Sequence, residues 1–314
     1  MAKWDYKGIM PALQVPFHDD ESIDEPELSR FTNWLLSHKG ITGLVTNGHT
    51  GEVFALDRDE RAEVTRIVAA AADGRVPVVS GICCESITEA VEHGVAFREA
   101  GASGALVMPP HMWLRFGMRD EHVLKYFQAI GEGSGLDLIV HVYPAWTRAS
   151  YSTDLMVELA KLPHVAGFKV GTREMSKYAR DVNAIRATAP DKAVLTCHDE
   201  YLLASMVQGV DGALVGFASF IPDRICALYE AVKQGDLKTA MDIQNSILPL
   251  KEAVYGLGEP TGDAHSRMKT AMMLAGRFSS NKVRQPTEPP KGKELEQIRT
   301  ALRDAGMLLE EAAE

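Results

Sequence analysis

The chain has 314 residues, 46 % apolar and 24 % charged, which excludes a disordered chain and allows a large core without disulfide or metal staples. Its net charge of −10 repels phosphate backbones and argues against nucleic-acid binding. No apolar run reaches the roughly 18 residues of a membrane span.

Short apolar runs recur along the chain, each followed by a longer stretch with helical spacing. The runs are Ile9 to Val15, Gly43 to Thr46, Val76 to Ser80, Ala105 to Met108, Leu138 to Tyr143, Val165 to Val170, Ala193 to Cys197 and Gly212 to Gly216. They are near-continuous rather than alternating, as expected of parallel strands covered on both faces. Between them, Leu28, Phe31 and Leu35 share a helical face, and Arg58 to Ala72, Thr88 to Ala100 and Met175 to Ala187 read as helices. Eight such strand–helix units over about 230 residues predict an α/β fold, a (β/α)8 TIM barrel. A doubly wound sheet lacks its fingerprint here, because no GxGxxG or GxxxxGK[ST] follows a strand.

After Gly216 the pattern is wholly helical. Pro222 to Gln234 is expected to close the barrel. Leu237 to Val254, His265 to Leu274 and Glu294 to Leu309 are expected as extra C-terminal helices, with residues 281–293 as a proline-broken linker. The expected organisation is a catalytic barrel over residues 1–235 and a helical appendage of the same domain over 236–314.

Only four cysteines occur, Cys83, Cys84, Cys197 and Cys226, without the Cys/His spacing of a zinc module. With no signal peptide in view, a reducing cytoplasm is the expected compartment.

In a barrel of this type the C-terminal ends of the strands face the active site. Those ends carry Asn47-Gly48-His49-Thr50-Gly51-Glu52, Pro109-Pro110-His111, Tyr143-Pro144, Lys169 and Cys197-His198-Asp199-Glu200. Lys169 lies in the apolar run Val165-Ala166-Gly167-Phe168-Lys169-Val170. Burial there disfavours the ammonium and makes the amine nucleophilic, as a Schiff-base lysine requires; a strand-end lysine paired with a carboxylate is the structural alternative. Tyr143 ends the preceding strand, and its phenol suits a proton relay. In the Gly48–Glu52 turn, backbone N–H groups and the Thr50 hydroxyl suit a carboxylate.

Together these motifs resemble the dihydrodipicolinate synthase / N-acetylneuraminate lyase family of class I aldolases. Gly48-His49-Thr50-Gly51-Glu52 resembles its carboxylate-binding loop, Tyr143-Pro144 its strand-five tyrosine, and Gly167-Phe168-Lys169 its Schiff-base lysine. The opening Gly8-Ile9-Met10-Pro11-Ala12-Leu13-Gln14-Val15-Pro16-Phe17 is similar to its first strand. The resemblance covers nearly the whole chain. It implies catalytic roles for Lys169 and Tyr143, and substrate contacts from His49, Thr50, Arg148, His111, Asp199 and Glu200. Arg148 corresponds to a carboxylate-binding arginine, and Asp199-Glu200 to a pair that holds sugar hydroxyls. It further implies a small 2-oxo acid substrate such as pyruvate, no metal or organic cofactor, and a homo-oligomer, dimer or tetramer.

Two departures argue against a true dihydrodipicolinate synthase. His49 replaces the first loop hydroxyl, and His111 or Met112 stands where a neighbouring subunit's tyrosine is expected. Aldol cleavage, condensation and dehydration stay open. So do a hydratase-aldolase acting on an arylidene pyruvate, suggested by Trp113 and Trp146, and a barrel that binds a 2-oxo acid without turnover.

Overall fold

The structure is a computed structural model describing residues 4–144, 147–257 and 260–309. Its strands are β1 (Gly8–Pro11), β2 (Leu44–Thr46), β3 (Val78–Ile82), β4 (Gly104–Val107), β5 (Asp137–Val142), β6 (Val165–Val170), β7 (Ala193–Thr196) and β8 (Gly212–Val215). All pair in parallel, in the order β1-β8-β7-β6-β5-β4-β3-β2. The two ends of the sheet meet. Thr42 N–H donates to the Ile9 carbonyl (3.0 Å) and Leu13 N–H to the Val45 carbonyl (2.9 Å), which closes the barrel.

Alternate residues of each strand face opposite ways. Met10, Val45, Val79, Leu106, Ile139, Leu195 and Leu214 fill the barrel interior. Ile9, Leu44, Val78, Val107, Val140, Phe168 and Val215 pack outward beneath the helices. Tyr6 closes the floor, its hydroxyl donating to the Ser103 carbonyl (2.9 Å) and the Asp137 carboxylate (3.0 Å).

The outer ring begins with α1 (Glu25–Leu36), α2 (Arg58–Ala72) and α3 (Ile87–Glu99). It continues with α4 (His111–Phe116), α5 (Asp120–Ser134), α6 (Thr153–Ala160), α7 (Met175–Thr188) and α8 (Leu202–Met206). A short α9 (Phe217–Phe220) precedes α10 (Pro222–Lys233), and α11 (Leu237–Tyr255), α12 (Ala264–Leu274) and α13 (Gly292–Asp304) follow. Local chemistry sets the boundaries. An Asp57/Glu60 capping box starts α2, and Asp73 in the left-handed conformation ends it. β3 begins two residues later than expected, after Pro77, which has no N–H to give a ladder.

Two expectations at the C-terminus need correction. The last helix stops at Asp304 rather than Leu309, because left-handed Gly306 turns the chain back and Leu309 N–H donates to the Leu274 carbonyl (3.1 Å). Residues 281–293 are no free linker. Arg284 there donates to the Glu60 carboxylate and the Glu21 carbonyl, and its backbone N–H donates to Glu52 (3.1 Å). That segment lies against the mouth of the barrel.

Candidate active site

A cleft of about 710 Å³ opens at the C-terminal end of the barrel. Lys169 enters it from β6. A bulge skips Ala166 in the pairing with β5, so that Gly167 and Lys169 align with Ile139 and His141. Bulges re-aim side chains in this way. Phe168 and Val170 consequently point outward into the core, and Lys169 inward.

Lys269 and Lys169 both lie away from solvent, with opposite provisions. Lys269 on α12 is fully buried, and its ammonium donates to Glu52, the Val15 carbonyl (2.7 Å) and the Lys282 carbonyl (2.9 Å). All three of its protons are engaged. Lys169 has no ion pair or hydrogen bond among the described residues. Burial holds its ammonium below the usual lysine range, with the nearby Cys197 and Asp199 opposing that fall.

Tyr143, one residue beyond β5, borders the same cleft, and its hydroxyl shares a hydrogen bond of 3.0 Å with His49 Nε2. The two rings meet edge to face. Burial raises the phenol well above 10, so it stays protonated. The desolvation of the cleft and then the charge of Lys169 lower the His49 imidazole, which favours its neutral form. His49, Thr50 and Gly51 form one 3-10 turn, closed by Gly51 N–H to the Gly48 carbonyl (3.0 Å). The N–H groups of His49 and Thr50 start that turn and donate to no backbone carbonyl among the described residues. Gly216 faces them. A Cβ there would lie 2.9 Å from Thr50 Oγ1 and 2.6 Å from the Tyr255 hydroxyl, so glycine keeps this end of the cleft open.

Asp199 borders the cleft, but its carboxylate is occupied. It accepts the N–H groups of Phe217 (3.0 Å) and Gly216 (3.3 Å) at the start of α9, and the Tyr255 hydroxyl (3.3 Å). Burial raises its pKa to about 7 against those donors. Glu200 does not border the cleft; it pairs with Arg173 (2.8 Å), which does.

His111 begins α4 and borders the cleft of its own chain, its ring 4.9 Å from Phe54. Glu85 accepts the N–H groups of His111 (2.8 Å) and Met112 (3.0 Å). Arg148 lies outside the cleft. It is exposed, and its guanidinium donates to the Arg115 carbonyl (3.4 Å). Trp113 is buried against Tyr126 rather than lining the cleft, and Trp146 falls outside the described residues. The exposed aromatic at the mouth is Phe54, stacked on His49.

The sequence reading missed His141, Arg173 and Tyr255, all of which border the cleft. Strand alternation was a usable signal for His141, two residues before Tyr143. Arg173 comes from the β6–α7 loop and Tyr255 from the end of α11, where no strand-end rule points. A separate group, Cys84, Glu89 and His93, brings its potential ligand atoms within 4.8 Å of one another beside β3. Glu89 there also accepts the Glu85 N–H (3.2 Å).

Residues 5–305 match the model of the dihydrodipicolinate synthetase family. The chain is 31 % identical to an uncharacterised DapA-like lyase of Thermofilum pendens, covering 96 % of this chain and 98 % of the relative. It is 32 % identical to a 4-hydroxy-tetrahydrodipicolinate synthase of Acidiphilium cryptum, covering 96 % and 99 %. A probable 2-dehydro-3-deoxy-D-pentonate aldolase of Escherichia coli is 27 % identical, over 81 % of this chain and 83 % of that one. Among solved structures, a dihydrodipicolinate synthase of Acinetobacter baumannii complexed with pyruvate superposes with a TM-score of 0.85 at 26 % identity, covering 96 % and 99 %. The chain therefore belongs to the dihydrodipicolinate synthetase family, and it is an enzyme of the lyase class.

Proposed function

We propose that the protein is a Schiff-base-forming lyase that makes or breaks a carbon–carbon or carbon–oxygen bond in pyruvate or a related 2-oxo acid. The observation that carries this is Lys169: a lysine without an ion-pair partner among the described residues, on an inward position of β6, held toward the free amine in a cleft with His49 and Tyr143. Attack of that amine on a 2-keto carbon gives an imine, which serves as the electron sink for later steps. Thr50 and the N–H groups of the 3-10 turn hold the substrate carboxylate. The Tyr143 hydroxyl moves protons at the substrate oxygen, with His49 as its partner. Pyruvate bound to the Acinetobacter baumannii relative supports this substrate class.

Borohydride reduction in the presence of pyruvate should add one pyruvate-derived mass to Lys169, and Lys169→Ala should lose turnover while keeping the fold. Label on another lysine, or none, would overturn the assignment.

We further propose that condensation of pyruvate with aspartate semialdehyde is not its reaction. Arg148 does not line the cleft and donates to the Arg115 carbonyl, and His49 stands where the resemblance implies the first loop hydroxyl. A reading as an arylidene-pyruvate hydratase-aldolase keeps one supporting observation, the exposed Phe54 ring at the mouth, stacked on His49. Product analysis with aromatic and polyol 2-oxo acids separates the two arms.

A further inference from the structure

We infer that His141 is a catalytic acid–base group that serves the nitrogen of Lys169. The inference rests on the imine reading above. His141 and Lys169 are register partners on adjacent strands, both on the face that borders the cleft. Adjacent strands lie about 4.8 Å apart, so the two side chains leave the sheet side by side. Tyr143 follows two residues later on the same face, its ring 4.7 Å from that of His141, and the His49 ring is 5.7 Å away.

A space-filling role explains this residue poorly. His141 is 6 % exposed, and its Nδ1 is buried without a hydrogen-bond partner. Burying an unpaired polar atom is costly, and an apolar side chain would fill the same place at no such cost. The neighbouring inward position of β5, Ile139, is filled in that way. The ring is also kept neutral, first by burial and then by the charge of Lys169. A neutral imidazole has a nitrogen lone pair ready for a proton.

The step balances without a further reactant. The Lys169 ammonium gives one proton to His141, and the free amine attacks the keto carbon. The C–N bond forms as the C=O π pair moves to oxygen. Tyr143 gives its hydroxyl proton to that oxygen, which completes the carbinolamine, and regains a proton from the neighbouring imidazolium. A second N–H proton then follows by the same ring as the nitrogen lone pair expels water. Two protons travel from nitrogen to oxygen, and the products are the iminium ion and one water.

The test follows the rate of borohydride-trapped pyruvate on Lys169 in the parent chain, His141→Ala and His141→Gln, with and without added imidazole. Loss of a positioned acid–base group costs about 10²–10⁴-fold. The expected result is a rate loss of that size in both variants, with imidazole restoring part of it in His141→Ala, whose cavity admits the ring, and less in His141→Gln. Either variant that folds, judged by its circular dichroism, decides the matter. Trapping within threefold of the parent overturns the role of His141. So does a loss in His141→Ala that imidazole leaves untouched, since that is the behaviour of a packing residue. A parent that traps no pyruvate on Lys169 instead removes the imine reading, and this inference with it.

Discussion

The hydroxyl of Tyr143 and the ring of His49 share a hydrogen bond of 3.0 Å, while the Tyr143 ring packs against His141. Tyr143→Phe separates these contributions, because the ring stays and the proton goes. Stability should change by only about 1 kcal/mol, the ordinary net worth of one hydrogen bond. Turnover should fall about 10²–10⁴-fold, as for other lost proton-transfer groups, with pyruvate still trapped slowly. Near-normal turnover would move the oxygen-side role to His49. At this scale the sequence was informative where a polar residue ended an apolar run, which is how Lys169, Tyr143 and His49 stood out. Position counted along a loop says less about placement. Arg148 follows Tyr143 by five residues, yet the loop carries it to the surface beside Arg115. His141 was hidden inside the apolar run itself, where only the two-residue period of a strand separates an inward histidine from its outward neighbours Val140 and Val142.

Strands and long helices were legible because their signals are local: apolar runs, capping residues and glycine stops. Long-range tethers were not. Lys269 lies among Met268, Thr270 and Ala271 in a helix, and nothing nearby in sequence announces that its partner is Glu52, at the end of the Gly48–Glu52 turn. That pair ties α12 to the turn that holds the candidate substrate site, and Glu52 itself adopts a left-handed backbone (φ 57°). Lys269→Met leaves a buried carboxylate facing an apolar side chain. Breaking a buried pair in this way costs about 3–5 kcal/mol. The double variant Glu52→Gln, Lys269→Met should be less damaged than Lys269→Met alone, because the stranded charge is gone. Guanidinium unfolding of the parent, Glu52→Gln, Lys269→Met and the double variant gives the coupling directly. A loss below about 1 kcal/mol in Lys269→Met would mean that the pair contributes little to holding the loop.

Across the whole molecule, the buried imidazoles set how the fold responds to acid. His93, His141 and His198 are almost inaccessible, and burial lowers the pKa of each, that of His198 to about 3. Neither nitrogen of His198 has a hydrogen-bond partner, and its ring packs between Tyr178 and Tyr201. In the unfolded chain each would titrate near 6.5. Above that pH neither state binds the proton, and these groups leave stability unchanged. Below it the unfolded chain gains protons that the native state refuses, so stability falls as pH drops from about 6.5 toward the native values. Asp199 works in the opposite sense. Its native pKa of about 7 exceeds the unfolded value near 3.9, so it gains stability as pH falls through that window and offsets one histidine. His49 and His265 are lowered as well, and five lowered imidazoles against one raised carboxyl leave a net loss on acidification. Each fully titrating group contributes a slope of about 1.4 kcal/mol per pH unit. His198→Phe keeps an aromatic ring between the two tyrosines and removes one such group without entering the cleft. Urea unfolding at pH 7, 6 and 5 should show a shallower loss in this variant, by about that slope over the lower interval. Parallel losses in parent and variant would show that His198 is protonated in the native state and that the acid response arises elsewhere.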